Sequence, residues 1–265
     1  MRFKLKFWQS PRIGVIELHG ILAPRPGMLN IAGYGELIDR AFRGSRGMPV
    51  ILDIDSPGGS PVQSDLIAAR IRRRADEAKV KVHAVIQEVG ASGGYWLACA
   101  ADVIHANPMS IVGSIGVRGG GFGFTDLIAR LGVERRMYTA GMNKARLDPF
   151  SPERPEDVVF LQALLDDLHV RFKDWVRTRR AGKLSGDEEA VFDGSFMLGD
   201  LALQRGLIDG FADLDGLVHE LGGKRAKPHV FRPRKRGLLS RLPRMAVDGI
   251  FDAVEERNAR INLLG

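Results

Sequence analysis

Apolar and polar positions change period along this chain, and the changes mark its elements. Phe3, Leu5 and Phe7 alternate with Arg2, Lys4 and Lys6, a two-residue period that predicts an edge strand over 1–8. The apolar run 13–18 predicts a strand closed by His19-Gly20 and a Pro-rich loop at 24–27, and a short helix fits 34–43. The strongest strand signal is 49–55, which stops at the Ser-Pro-Gly-Gly turn of 56–59. A helix then fits 61–79, with Pro61 in its first turn. Its pattern turns Ile67, Ile71 and Leu66 inward and Arg70, Arg72, Arg73 and Arg74 outward. The sequence repeats the step with a strand at 82–87, a turn at Gly90-Ala91, a helix over 92–100 and a strand at 102–106. Two strand–turn–helix units in succession predict βαβ crossovers and a largely parallel sheet. Such sheets place their chemistry at the carboxyl ends of the strands, where both glycine turns fall.

Further along, 111–124 is a glycine-dense loop, and 125–131 with 133–138 reads as another helix–strand step. An amphipathic helix fits 155–178, and the region 187–221 gives small helices around 206–214 that close the body. Proline and arginine crowd 228–244, which reads as a linker before an amphipathic helix at 245–263 carrying Val247, Ile250, Phe251, Val254 and Ile261 on one face. These signals divide the chain into a basic, aromatic leader over 1–11, a body over 12–222 and a basic tail over 223–265. No solenoid-type repeat interrupts them.

The net charge of +7 belongs to the tail. From Lys224 onward there are 11 Lys and Arg against 4 Asp and Glu, so the preceding 223 residues carry 28 of each sign. Tail basicity invites nucleic acid, but no aromatic stacking series, zinc spacing or reading helix supports it. Arg and Lys interleaved with Leu, Phe and Met suit peripheral attachment to an anionic membrane better than nucleic acid, and a merely solvated tail is the plain first reading. A single cysteine, Cys99, in an apolar stretch excludes a disulfide framework and reads as a small core residue. No apolar run reaches membrane-spanning length, and the start lacks the apolar segment and cleavage site of a signal peptide. Together these features predict a cytoplasmic setting, peripheral to a membrane surface at most.

Two short runs carry candidate chemistry: 89-VGASGGYW-96 and 141-GMNKARLDPF-150. Ser92 lies at a strand-to-helix turn that would present its hydroxyl as a nucleophile, although an ordinary helix-capping serine fits the same spot. Lys144 is the base candidate, because a serine needs one and lysine serves when its proton affinity is lowered. Alone it reads as a surface lysine. None of the six histidines has an acidic partner pattern that singles it out. Gly58, Gly59 and Gly93 could offer backbone N–H groups to an oxyanion, or could simply make steep turns. Ser114 could orient the lysine amine. Asp53 and Asp55 share a strand face without metal-site spacing, so metal-independent chemistry with no cofactor is expected.

The runs 56-SPGG-59, 88-EVGASGGYWLACAAD-102, 113-GSIGV-117, 141-GMNKARLDPF-150 and 193-DGSFMLGDLALQRGLIDG-210 together resemble the signal peptide peptidase A type serine peptidases, of the ClpP/crotonase-like superfamily. The resemblance spans about 12–222. It implies an α/β fold with repeated β-β-α units around a largely parallel sheet. It also implies Ser92 as nucleophile, Lys144 as general base, Ser114 as its holder, and Gly59 and Gly93 as oxyanion donors. Peptides, unfolded proteins or membrane-derived segments would be substrates, and short relatives form homo-oligomeric rings whose protomers share each site. The chain departs from many relatives in lacking an anchor and in carrying one copy of the catalytic region. Acyl-CoA or thioester chemistry and a noncatalytic scaffold are the rival readings on the same fold.

Overall fold

The computed structural model describes residues 11–233, and within them the apolar strands join one sheet. β1 (Arg12–His19), β2 (Val50–Ser56) and β3 (Val82–Ala91) lie side by side in parallel. Their interiors are mostly apolar, as a parallel sheet covered on both sides requires, with Asp53 and His83 among the buried polar exceptions. The outer edge of β3 is shared by two strands. β4 (Val103–Ala106) pairs with 83–86, and β5 (Ile111–Gly113) pairs with 89–91. β6 (Phe196–Leu198) runs antiparallel to β5, while β7 (Gly210–Phe211) and β8 (Lys227–Phe231) add in parallel to β4 and β1.

Helix starts follow their caps. α1 (Ile31–Gly44) begins at Asn30, whose side chain accepts the Gly33 N–H, and α2 (Pro61–Ala78) begins at Ser60, which accepts that of Gln63. Ile67, Ala68, Ile71 and Ala75 form the buried stripe of α2. Leu66, expected to face inward, lies about 100° from Ile67 around the helix and is exposed. Arg70 and Arg74, expected in solvent, instead clamp the buried Asp39 of α1 at 2.6–3.1 Å. Arg72 likewise reaches the Ala100 carbonyl and Asp102. The two guanidinium groups hold the Asp39 carboxyl well below its usual range.

α3 (Gly93–Ala98) packs on β2 and β3 beside α2. α1 lies over the same sheet face, since Gly14 there abuts the Ala41 carbonyl. The alternate positions Ile13, Val15, Ile51 and Val85 point to the other face, where Leu217 and Val218 of α8 (Leu214–Gly222) complete a core.

The chain divides into two units, one holding the sheet (up to Ile115 and from Trp175), the other Gly116–Asp174. α4 (Thr125–Arg130) lies in the second unit, as does α5 (Pro155–Arg179) up to Asp174; α6 (Glu188–Phe192) and α7 (Gly199–Gln204) lie in the first. Within the second unit Gly119 abuts Leu161 and Leu165, and the Arg135 guanidinium stacks 4.7 Å over Phe150.

Two further expectations differ from the structure. Residues 133–138 form no strand, because Glu134, Arg135 and Arg136 break the alternation and stay exposed. The small helices expected over 187–221 are α6, α7 and α8, with a turn and β7 between the last two. Residues 227–231, read as linker, form β8; Pro228 is tolerated because this strand lies at the sheet edge. The strand expected over 1–8 and the helix expected over 245–263 lie outside the described residues.

Candidate functional site

Ser92 stands between the end of β3 and the start of α3 with φ 50° and ψ −121°. An L residue rarely adopts this conformation, and it persists only where the surroundings impose it. Here β3 and β5 impose it. Ala91 pairs with Gly113, and the Ser92 N–H donates to the Gly113 carbonyl at 2.9 Å. The Ser92 carbonyl in turn accepts the Trp96 N–H at 3.0 Å, opening the helix. Asn30, Ser60 and Asp213 all cap their helices through the side chain, whereas Ser92 at the corresponding place makes no capping hydrogen bond. The residue is half-buried, and its hydroxyl is not spent on capping the helix.

The turn 56–59 packs directly against this serine. The buried Ser56 hydroxyl donates to the Gly20 carbonyl at 2.7 Å and accepts the Gly58 N–H at 3.2 Å. Gly58 has φ +103°, and a Cβ there would fall 2.7 Å from the Gly93 nitrogen. The chain before it is tied by Leu22, whose N–H donates to the Gly58 carbonyl and whose carbonyl accepts the Ser60 N–H at 2.8 and 2.7 Å. Among the described residues neither the Gly59 nor the Gly93 N–H has an acceptor. Two free amide donors thus accompany the serine, the feature an oxyanion site needs. Ser114 follows Gly113 directly, has φ 52°, and is fixed by its N–H to the Ser195 carbonyl at 2.7 Å.

The far end of α3 is held as firmly. Trp175 stacks on Trp96 and donates its indole N–H to the Trp96 carbonyl at 3.0 Å. Arg179 takes up the Cys99 and Ala101 carbonyls just past the helix at 2.8 and 3.0 Å, while the Leu97 and Ala98 carbonyls accept the Ala100 and Ala101 N–H. Tyr95 is fully buried and donates to the Leu207 carbonyl at 2.7 Å. Burial pushes the Cys99 thiol up to about 12, which leaves it the inert core residue expected.

Lys144 belongs to the second unit and sits exposed on a turn closed by its own N–H to the Gly141 carbonyl. Sequence reasoning missed the residue that anchors this turn, Asp157 at the start of α5. Its buried carboxylate accepts the Leu147 N–H at 3.2 Å and pairs with Arg154 and Arg146. Burial alone would raise the Asp157 carboxyl, but Arg154, the Leu147 N–H and Arg146 together hold it below its ordinary value. Arg146 and Arg154 upstream of Asp157 were the available signal, blurred by Asp148, Glu153 and Glu156 in the same stretch. The structure therefore gathers Ser92, Gly59, Gly93 and Ser114 in the first unit and places Lys144 on an anchored turn of the second. Three histidines are engaged elsewhere: His19 with Asp53, and His83 stacked on His105.

The sequence model of Peptidase family S49 matches residues 74–226. A protein of Brucella abortus (strain 2308) named Na(+)/H(+) antiporter NhaA is 46% identical over 242 residues, covering 89% of this chain and 32% of that protein. Putative protease MJ0651 of Methanocaldococcus jannaschii is 31% identical over 176 residues, 66% of this chain and 56% of its own. Among solved structures, a mutant of the 1510-N membrane-bound stomatin-specific protease aligns with 85% of this chain and 99% of its own, with a TM-score of 0.50 at 15% identity. That last likeness concerns the fold alone. The chain spans about a third of the antiporter-named relative and about half of the protease. Among the described residues no helix is long and apolar enough to cross a membrane.

Proposed function

The chain belongs to Peptidase family S49, and we propose that it is a serine endopeptidase in which Ser92 and Lys144 form the catalytic dyad. The observation that carries this reading is Ser92 itself: a serine held in a strained backbone at a strand–helix junction, with no capping bond and free amides at Gly59 and Gly93. A capping serine needs none of these features.

The reaction runs through an acyl-enzyme. The free amine of Lys144 takes the proton from Ser92 as Oγ attacks the peptide carbonyl. The N–H groups of Gly59 and Gly93 stabilise the tetrahedral oxyanion. The Lys144 ammonium gives its proton to the leaving amine, and the C–N bond breaks. Water then attacks the acyl group while Lys144 accepts its proton, and Ser92 leaves with a proton returned from the ammonium. Ser114 holds the amine in place. Its strained backbone, fixed through Gly113 and Ser195, supports that role.

Peptides and unfolded or membrane-derived protein segments are the proposed substrates. The proposed assembly is a homo-oligomeric ring in which neighbouring protomers complete each Ser/Lys pair. The proposed setting is the cytoplasm, with the basic tail resting on an anionic membrane surface. Digestion of unfolded proteins and hydrophobic peptide libraries, read by mass spectrometry, tests the reading. Cleavage by the wild type that vanishes in both Ser92→Ala and Lys144→Ala, with assembly intact, supports it. Cleavage that persists in both variants overturns the dyad.

A further inference from the structure

One polar cluster lies outside the proposed site. Side chains alternate along β1, so Glu17 and His19 share the sheet face of Ile13 and Val15, opposite α1. The β1–β2 register sets Asp53 across from Glu17 and Asp55 across from His19. One ligand atom each of Glu17, His19 and Asp53 lies within 4.8 Å of the others, and His19 Nε2 is 3.1 Å from Asp53 Oδ2. Ligands about 2.1 Å from a tetrahedral zinc stand roughly 3.4 Å apart, so small side-chain movements would close this set around an ion.

The surroundings favour a cation. Asp53 is 6% exposed, and among the described residues no lysine or arginine pairs with it. Gln87 donates to its other oxygen, Oδ1, at 2.6 Å and leaves Oδ2 turned toward His19, the way an outer partner orients a metal-binding carboxylate. Glu17 and Asp53 stand close to His19, and Asp55 lies across from it in the strand register. Arg232 touches Glu17 at 3.3 Å, but this is an exposed pair of little strength.

We propose that Glu17, His19 and Asp53 bind one divalent transition-metal ion of the zinc kind. The imidazole nitrogen selects against magnesium and calcium, which prefer all-oxygen sets. The ion would bridge the carboxyl ends of β1 and β2 where Gly20 N–H already donates to the Asp55 carbonyl, just before the 56–59 turn. Its role is to fix those strand ends; the peptidase chemistry takes no step through it.

Calorimetric titration of tag-free, chelator-stripped protein with zinc chloride tests the site, with visible absorption of the cobalt(II) form as a second readout. One zinc per chain is expected, lost in His19→Ala and Asp53→Asn and weakened about tenfold in Gln87→Leu. The cobalt spectrum should vanish with His19→Ala. Absence of zinc binding by the wild type, undiminished binding by His19→Ala, or a preference for calcium or magnesium would each overturn the proposal. The His19 side chain is 40% exposed, so its replacement leaves the fold intact and decides the matter even where Asp53→Asn fails to fold.

Discussion

A Cβ on Gly58 would lie 2.8 Å from the Cβ of Ser92, so the turn after β2 and the turn after β3 touch through a residue that has no side chain. Gly58→Ala therefore meets both a positive φ and a backbone wall at Ser92 and Gly93. Either turn must move to admit the methyl group. A stability loss of about 1–3 kcal/mol is expected by urea unfolding. A fall in kcat/KM of about 100-fold is expected too, the usual cost of misplacing a reacting group by an ångström.

Ser92 offers a separate test of backbone strain. Ser92→Ala and Ser92→Gly both remove the hydroxyl and should both end cleavage. Only glycine relaxes a residue held at φ 50° and ψ −121°. The glycine variant should be more stable than the alanine variant by about 1 kcal/mol in urea unfolding. Equal stabilities would mean that the conformation costs nothing.

Lys144 is proposed to act through its amine. Lys144→Ala should lower kcat by about 10²–10⁴, and Lys144→Arg should do the same, because a guanidinium does not serve as a base at neutral pH. A small alkylamine added to the alanine variant should restore part of the rate in proportion to its free-base concentration. Full activity in Lys144→Arg would count against lysine as the base.

His83 and His105 make a pH-dependent element in the sheet. Their rings stack with centroids 5.9 Å apart, and His83 Nδ1 and both His105 nitrogens are buried without hydrogen-bond partners among the described residues. Burial, reinforced at His83 by His105 and Lys81, lowers both imidazoles from 6.5, although Glu220 opposes this at both, with Asp102 at His83 and Asp209 at His105. In the window just below 6.5 the unfolded chain therefore binds more protons than the folded one. The stabilising contribution is complete above that value and is lost as the pH falls through the depressed folded values. Urea midpoints measured between about pH 5 and pH 8 should fall on the acid side and flatten in the double variant His83→Leu/His105→Leu.

The parallel sheet was readable because β1, β2 and β3 each carry a largely apolar run that ends at a turn. What the sequence obscured came from pairing. Gly90 and Ala91 look like a turn, yet β5 arrives at that edge and extends β3 to Ala91. Lys227–Phe231 looks like linker until the free edge of β1 is known to need a partner. The site divides in the same way. Ser92 and the glycine turns were visible as local motifs, but the packing of Gly58 on Ser92 and the capture of the Ser92 N–H by Gly113 depend on which turns meet. Glu17 and His19 showed their common face through two-residue spacing, while Asp53 joined them only through the strand register.

The central claim is that Ser92 is an acylated nucleophile. Reaction of the assembled protein with a serine-directed phosphonate, followed by proteolytic mapping in a mass spectrometer, reads it directly. A single covalent adduct on the peptide containing Ser92, absent in Ser92→Ala and slowed in Lys144→Ala, is the predicted result. An adduct on another residue, or an unmodified Ser92 peptide in protein that cleaves its substrate, would contradict the account.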